Sequence, residues 1–263
     1  MKSKTGIILA IILLSILILA LIVFFVNCLI TGRAFTISWN VFLTDNTNVV
    51  LDETVPLGDI TEINLSQNFG DIHIQKSVDD AIHIQAYGKS ADELDWSVSG
   101  NHLTIQSKKN TLHSFWHMNK SDLILSLPCS YAHKITVKAD CGTCYVEDFA
   151  NASFHIDCDA GNMEMGKVKN ITATCDCGNI EIREITNQCN LKVNAGNVHV
   201  QKLDIQEDSS IKADMGNVTI EEISDIYIDA KVDLGNSNIR HNNRSSDITL
   251  TVNCDCGNIT IGE

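Results

Sequence analysis

"ITATCDCGNIEI", residues 171–182, alternates apolar and polar positions up to a glycine and resumes the alternation beyond an asparagine. Ile171, Ala173, Cys175 and Cys177 share one face, and Ile180 and Ile182 return to it after a one-residue slip. A period of two marks a strand, because successive side chains leave a strand on opposite sides. The slip at Gly178-Asn179 predicts a corner, since Gly accepts φ > 0 freely and Asn or Asp bonds nearby backbone.

The same unit recurs along the chain. Aligning on glycine gives Gly142, Gly161, Gly178, Gly196, Gly216, Gly235 and Gly257, spaced by 19, 17, 18, 20, 19 and 22 residues, with an earlier copy at Gly70. Two positions before each Gly stands Asp or Asn, one before stands an apolar residue, and one after stands Asn, Asp or Thr. A unit of this length with two short strands cannot bury its own apolar face, whereas stacked units can. The pattern predicts an all-β fold, a β-solenoid of coils of roughly 19 residues. Like positions would stack into columns about 4.8 Å apart. A β-sandwich also has many short strands, but it does not require one residue type at one phase of every copy. The folded part is expected over residues 61–263, with 82–134 as an irregular first coil or cap because that stretch breaks the period.

Upstream lies a different kind of segment. From Gly6 to Ile30 the chain is apolar apart from Ser15 and Asn27, and no charge occurs between Lys4 and Arg33. Those 25 residues would span about 37 Å as a helix, enough for a hydrocarbon core of about 30 Å. This predicts a cytoplasmic tail at 1–5, a single transmembrane helix at 6–30 and a stalk or linker at 31–60. Lys2 and Lys4 place the N-terminus in the cytoplasm and the rest outside the cell membrane. A cleaved signal peptide would have a shorter apolar core. A lipoprotein acceptor at Cys28 would need a small residue before it, where Phe25-Val26-Asn27 stand.

The chain carries a net charge of −14, or −16 once Lys2 and Lys4 are set aside. A surface this acidic repels nucleic acid and anionic headgroups, so neither is an expected partner.

Ten cysteines invite a chemical reading. Yet Cys158, Cys175 and Cys254 share the column three before Gly with Ala139, Val193, Ala213 and Val232. Cys141, Cys177 and Cys256 share the next column with Ala160, Ala195 and Met215, and both columns are expected to face inward. Free Cys packs as a small hydrophobe, so these thiols read as packing. Three alternatives stay open: a Cys158–Cys175 bridge between adjacent coils, a zinc site, and redox chemistry at "CGTC".

The column two before Gly gives the one candidate metal set, an acidic ladder of Asp140, Asp159, Asp176, Asp214, Asp233 and Asp255. Stacked carboxylates repel unless a cation or hydrogen bonds intervene. The competing reading is that each Asp caps its corner by bonding backbone. His113 and His117 read as exposed loop residues. No nucleophile, zinc or nucleotide motif is present, and the ectodomain arginines Arg33, Arg183, Arg240 and Arg244 stand in unrelated phases. No catalytic residue and no cofactor are expected.

A membrane anchor, "INLSQNFGDIHI", "NHLTIQ", "LILSLPCSYAHKITVKADCGTCYVEDF" and serial "GNI" or "GNV" units resemble the bacterial putative-adhesin family of β-strand-repeat proteins. The resemblance covers about residues 60–263. It implies a β-solenoid on the outer face of the membrane with no catalytic residues to carry over. The cysteine-rich columns depart from the usual Ser, Gly and Ala, which suggests a reducing or anaerobic habitat.

Three functions follow in order. The first is a single-pass surface protein whose solenoid is a non-catalytic binding or adhesion scaffold for an envelope polymer or protein. The second is an envelope structural or regulatory protein acting through a membrane partner. The third is a thiol-redox or metal-binding protein. The chain stops two residues after a core strand, so the C-terminal coil is expected to be open and able to join another copy.

Overall fold

The computed structural model describes residues 48–88, 94–108 and 122–262, which belong to the compact unit spanning Leu43–Glu263. The expected tail at 1–5 and transmembrane helix at 6–30 lie outside the described residues, as do His113 and His117. Among the described residues, no helix is long and apolar enough to cross a membrane. The described fold is all-β, a single curled sheet of 19 strands.

The strands run β1 (Val49–Pro56), β2 (Glu62–Gln67), β3 (Ile72–Lys76), β4 (Ala81–Tyr87), β5 (Leu94–Ser99), β6 (His102–Ser107) and β7 (Asp122–Leu127). Next come β8 (Lys134–Cys141), β9 (Cys144–Val146), β10 (Phe149–Ala160), β11 (Met163–Cys177), β12 (Ile180–Ala195) and β13 (Val198–Leu203). The last are β14 (Ser209–Met215), β15 (Val218–Ile223), β16 (Tyr227–Leu234), β17 (Ser237–Ile239), β18 (Thr249–Cys256) and β19 (Ile259–Ile261).

Two parallel ladders organise them. Strands entering the glycine corners, preceded by β6, stack in the order β6, β2, β8, β10, β11, β12, β14, β18, β16. Strands leaving the corners, preceded by β7, stack as β7, β3, β9, β11, β12, β13, β15, β19, β17. Between the ladders lies one continuous apolar core, from Val55 to Ile261, rich in Ile, Val and Leu. Each fully buried aliphatic side chain contributes about 1.5–3 kcal/mol, so stacking supplies what one coil cannot.

Glycine is required at the corners by contact as well as by φ. Gly178 has φ 153°, and a Cβ there would lie 1.8 Å from the carbonyl oxygen of Gly161 in the neighbouring coil. Gly161 stands in the same relation to Gly142, and Gly196 to Gly178, so the corners form a glycine column. Asparagine completes it: Asn179 Oδ1 accepts the backbone N–H of Asn197, and Asn197 Oδ1 accepts that of Asn217, both at 2.9 Å. Corner capping therefore falls to the residue after Gly and reaches across coils. Of the two side chains able to bond backbone at a corner, the Asp two before Gly and the Asn after it, it is the Asn that does so here.

Three structural differences matter. The sheet extends upstream into the segment expected as stalk, because β1 pairs antiparallel with β4. The 82–134 segment contributes to all of the antiparallel pairing, through β4 with β1 and β7 and β5 with β6. The C-terminal coil is not open. β18 is held between β14 and β16, and β19 between β15 and β17, so the outermost coil is Tyr227–Ile239. Every coil offers the same ladder to a neighbour, so the last segment can lie inside the one before it.

Candidate functional site

The interior and exterior of a corner separate the thiols into two sets. Cys158, Cys175 and Cys254 are buried, and each points its Sγ at the carbonyl of a glycine one coil away: Gly142 at 3.8 Å, Gly161 at 3.4 Å and Gly216 at 3.2 Å. Cys144 and Cys189 are also buried, and burial pushes both thiols up to about 12. A hydrogen bond with Cys175, reinforced by burial, pushes Cys158 up as well. A thiol held protonated is a poor nucleophile and a poor metal ligand.

The column one before Gly faces outward instead. Cys177 and Cys256 are exposed and Cys141 is half-buried, while Met215 and Leu234 in the same column are 61% and 69% exposed. This corrects the expected inward placement of that column. Two consecutive residues, such as Asp176 and Cys177, point out before the glycine, so the alternation slips one position earlier than expected.

The acidic ladder lies on the same outer side. Asp140, Asp159, Asp176, Asp233 and Asp255 are exposed and Asp214 is half-buried. Lysines balance part of it: Lys212 contacts Asp214 at 2.7 Å and Asp255 at 3.8 Å, and Lys231 contacts Asp233 at 2.9 Å. Asn194 interrupts the run and donates to Asp176 at 2.7 Å. A depression of about 280 Å³ nearby is lined by Lys138, Asp140, Asp157, Asp159 and Asp176. Among the described residues, no group of three or more His, Cys, Asp or Glu is placed to hold a metal ion.

The outer face of the ladder leaving the corners has the more varied chemistry. His73 and Tyr145 stack from adjacent coils with ring centroids 4.6 Å apart and planes 13° apart. They line a depression of about 340 Å³ with Gln75, Glu147 and Glu164. A second depression of about 150 Å³ shares Glu164 and Met165 and continues to Glu181, Arg183, His199 and Gln201. Gly166 helps keep this face low, since a Cβ there would meet Asp148 Oδ1 at 2.2 Å. His199 Nε2 lies 2.7 Å from Glu221 Oε1.

Along its border runs a column of alternating sign. Asp148, Lys167, Glu184, Lys202 and Glu222 come from five successive coils, and Lys167 and Lys202 contact Glu184 at 2.9 and 3.6 Å. Arg183 pairs with Asp148, whose Oδ1 also accepts the Lys167 N–H at 2.8 Å. Partial burial would raise the Asp148 carboxyl, but those two donors outweigh it and hold it below its usual range. The hydrogen bond and charge of Lys167, helped by Lys202, likewise hold Glu184 low. Opposite charges facing across strands favour this coil order over alternatives that oppose like charges.

None of His73, Tyr145, Glu164, Glu181 and His199 stood out in the sequence. All five occupy one column, three after the corner glycine, two positions beyond the last column that the repeat pattern defines.

Residues 60–262 match the Toastrack DUF4097 family model, and the chain belongs to that family. The matched family is a domain of unknown function, in keeping with the resemblance read from the repeats. Solved structures similar to the chain include a putative cell adhesion protein from Clostridium sporogenes, 14% identical, with a TM-score of 0.38 over 82% of this chain and 99% of that one. A putative adhesin from Bacteroides fragilis is 14% identical, with a TM-score of 0.40 over 80% and 95%. A putative lipid binding protein from Parabacteroides distasonis is 12% identical, with a TM-score of 0.44 over 83% and 99%. No curated protein matches the chain.

Proposed function

We propose that this member of the family is a single-pass membrane protein presenting a β-solenoid outside the cell membrane as a non-catalytic binding scaffold. The apolar run at 6–30 supplies the anchor, and the acidic repeat region is the part that meets ligands. One observation carries the binding role. The outer face after the glycine corners offers adjoining depressions across successive coils, lined by an aromatic pair, carboxylates, amides and a guanidinium. Rows of polar groups repeating about every 4.8 Å suit an extended, repeating ligand such as an envelope polysaccharide. The core behind them is close-packed, so the face is held rigid.

The test is co-sedimentation of the full chain, in detergent, with isolated envelope polysaccharide. Tyr145→Ala with Glu164→Gln should reduce the bound fraction at least about tenfold, the loss of about 1.4 kcal/mol. Undiminished binding by that variant rejects this face as the site. Absence of binding by the unaltered chain rejects the ligand class. The anchor is tested separately by reporter fusions, which should place residue 263 outside the membrane and residue 1 inside.

A further inference from the structure

The outermost coil, Tyr227–Ile239, has an edge that the rest of the fold leaves open. Among the described residues, β16 pairs only with β18. Tyr227 donates its N–H inward to Ile248, so alternate residues Ile228, Ala230 and Val232 turn their backbone groups toward the free edge. At Ile228 the side chain of Asn242 satisfies both, with Oδ1 accepting the N–H at 2.9 Å and Nδ2 donating to the carbonyl at 2.8 Å. That cap stops at Ile228. Beyond it Ala230 and Val232 remain half-buried, and Leu234 is 69% exposed.

We propose that this edge joins a second copy of the chain by antiparallel pairing of the two β16 strands about a two-fold axis at Val232. Charge identifies the occupant. Antiparallel pairing centred on Val232 puts Lys231 opposite the partner's Asp233 and Asp233 opposite the partner's Lys231, all on the outer face. The same two side chains contact each other at 2.9 Å within one chain, so the association re-pairs them. Pairing is also allowed by parity, because Val232 faces the edge with both its backbone groups and would bond the partner's Val232 twice. Val232 side chains from the two copies would then meet, and the two cores would join. An open parallel edge is a ready template for another strand, and self-complementary charge selects a like one. The inference is independent of the ligand-binding proposal and uses a different part of the molecule.

The test is sedimentation of the full chain in detergent over a range of concentrations. Lys231→Asp sets four carboxylates around the two-fold axis, and Asp233→Lys sets four ammonium groups there. Each single change should weaken dimerisation at least about tenfold. The double variant Lys231→Asp, Asp233→Lys restores both cross-pairs and should recover dimerisation to within about threefold of the unaltered chain. A monomeric unaltered chain, a dimer insensitive to either single change, or a double variant that fails to recover would each overturn the proposal.

Discussion

The two ends of the stacked sheet are finished by different means. At one end the chain reverses: β5 folds back on β6, and β4 runs antiparallel to β7 with β1 outside it. Ile82, Ile84 and Ala86 are fully buried there, and the edge strand β1 carries Asp52, Glu53 and Pro56, residues that discourage further pairing. At the other end β16 keeps the parallel direction of every coil before it, and one side-chain amide from Asn242 caps it at a single residue. Reversing strand direction ends the repeat, whereas a last coil like all the others invites one more.

The largest expected effect tests whether a coil gripped from both sides differs from a coil gripped from one. Gly178→Ala forces a Cβ onto the Gly161 carbonyl between two fixed neighbours, and should cost about 3–5 kcal/mol in denaturant unfolding. Gly235→Ala meets the Gly257 carbonyl just as closely, but at dilutions where the chain is monomeric its coil can tilt away, so the cost should be under about half as large. Equal costs would remove the distinction. Next, Ile84→Ala at the closed end should cost about 2–5 kcal/mol, and Val232→Ala at the open end under about 1 kcal/mol, by the same measurement.

The smallest effects are electrostatic and opposite in sign. Asp148 and Glu184 have carboxyls held below their ordinary values of 3.8 and 4.5, so their stabilisation is present above those values and lost as pH falls through the depressed ones. Lys212, on β14 two coils in from the open end, is held up chiefly by its hydrogen bond to Asp214, so its contribution is present below 10.5 and lost as pH rises beyond it. The stability lost in Arg183→Ala should therefore be full at neutral pH and shrink as pH falls below 3.8. The stability lost in Lys212→Met should be full at neutral pH and shrink as pH rises beyond 10.5, and 1 M salt should shrink both losses. A deficit of Arg183→Ala that persists undiminished in acid, or of Lys212→Met that persists undiminished in alkali, would break the assignment.

Much of this was legible because period-two patterning states directly which residues share a face. Ile171, Ala173 and Cys175 could be placed inside from sequence, and so could Gly178 at a corner. Cys177 could not, because its outward turn depends on how Gly178 stacks on Gly161, a contact between coils that no local pattern records. Sequence alone does not choose between Asp176 and Asn179 as the cap because either side chain can bond backbone, and only the stacking shows that Asn162 and Asn179 do so. The position of β18 inside β16 was hidden for a related reason. Coils with the same ladder chemistry do not announce their order, and β1 looked like stalk because its partner β4 lies in the segment that breaks the period.

The central claim is that the corners turn the residue three before the glycine inward and leave the residue one before it more exposed, as Cys175 and Cys177 are. Alkylation of the folded chain, with each modified cysteine located by mass spectrometry, tests this within single peptides. Cys177 and Cys256 should label readily, as should Cys129, while Cys144, Cys158, Cys175, Cys189 and Cys254 should label only after unfolding. Equal labelling of Cys175 and Cys177, two residues apart on one strand, would contradict the account.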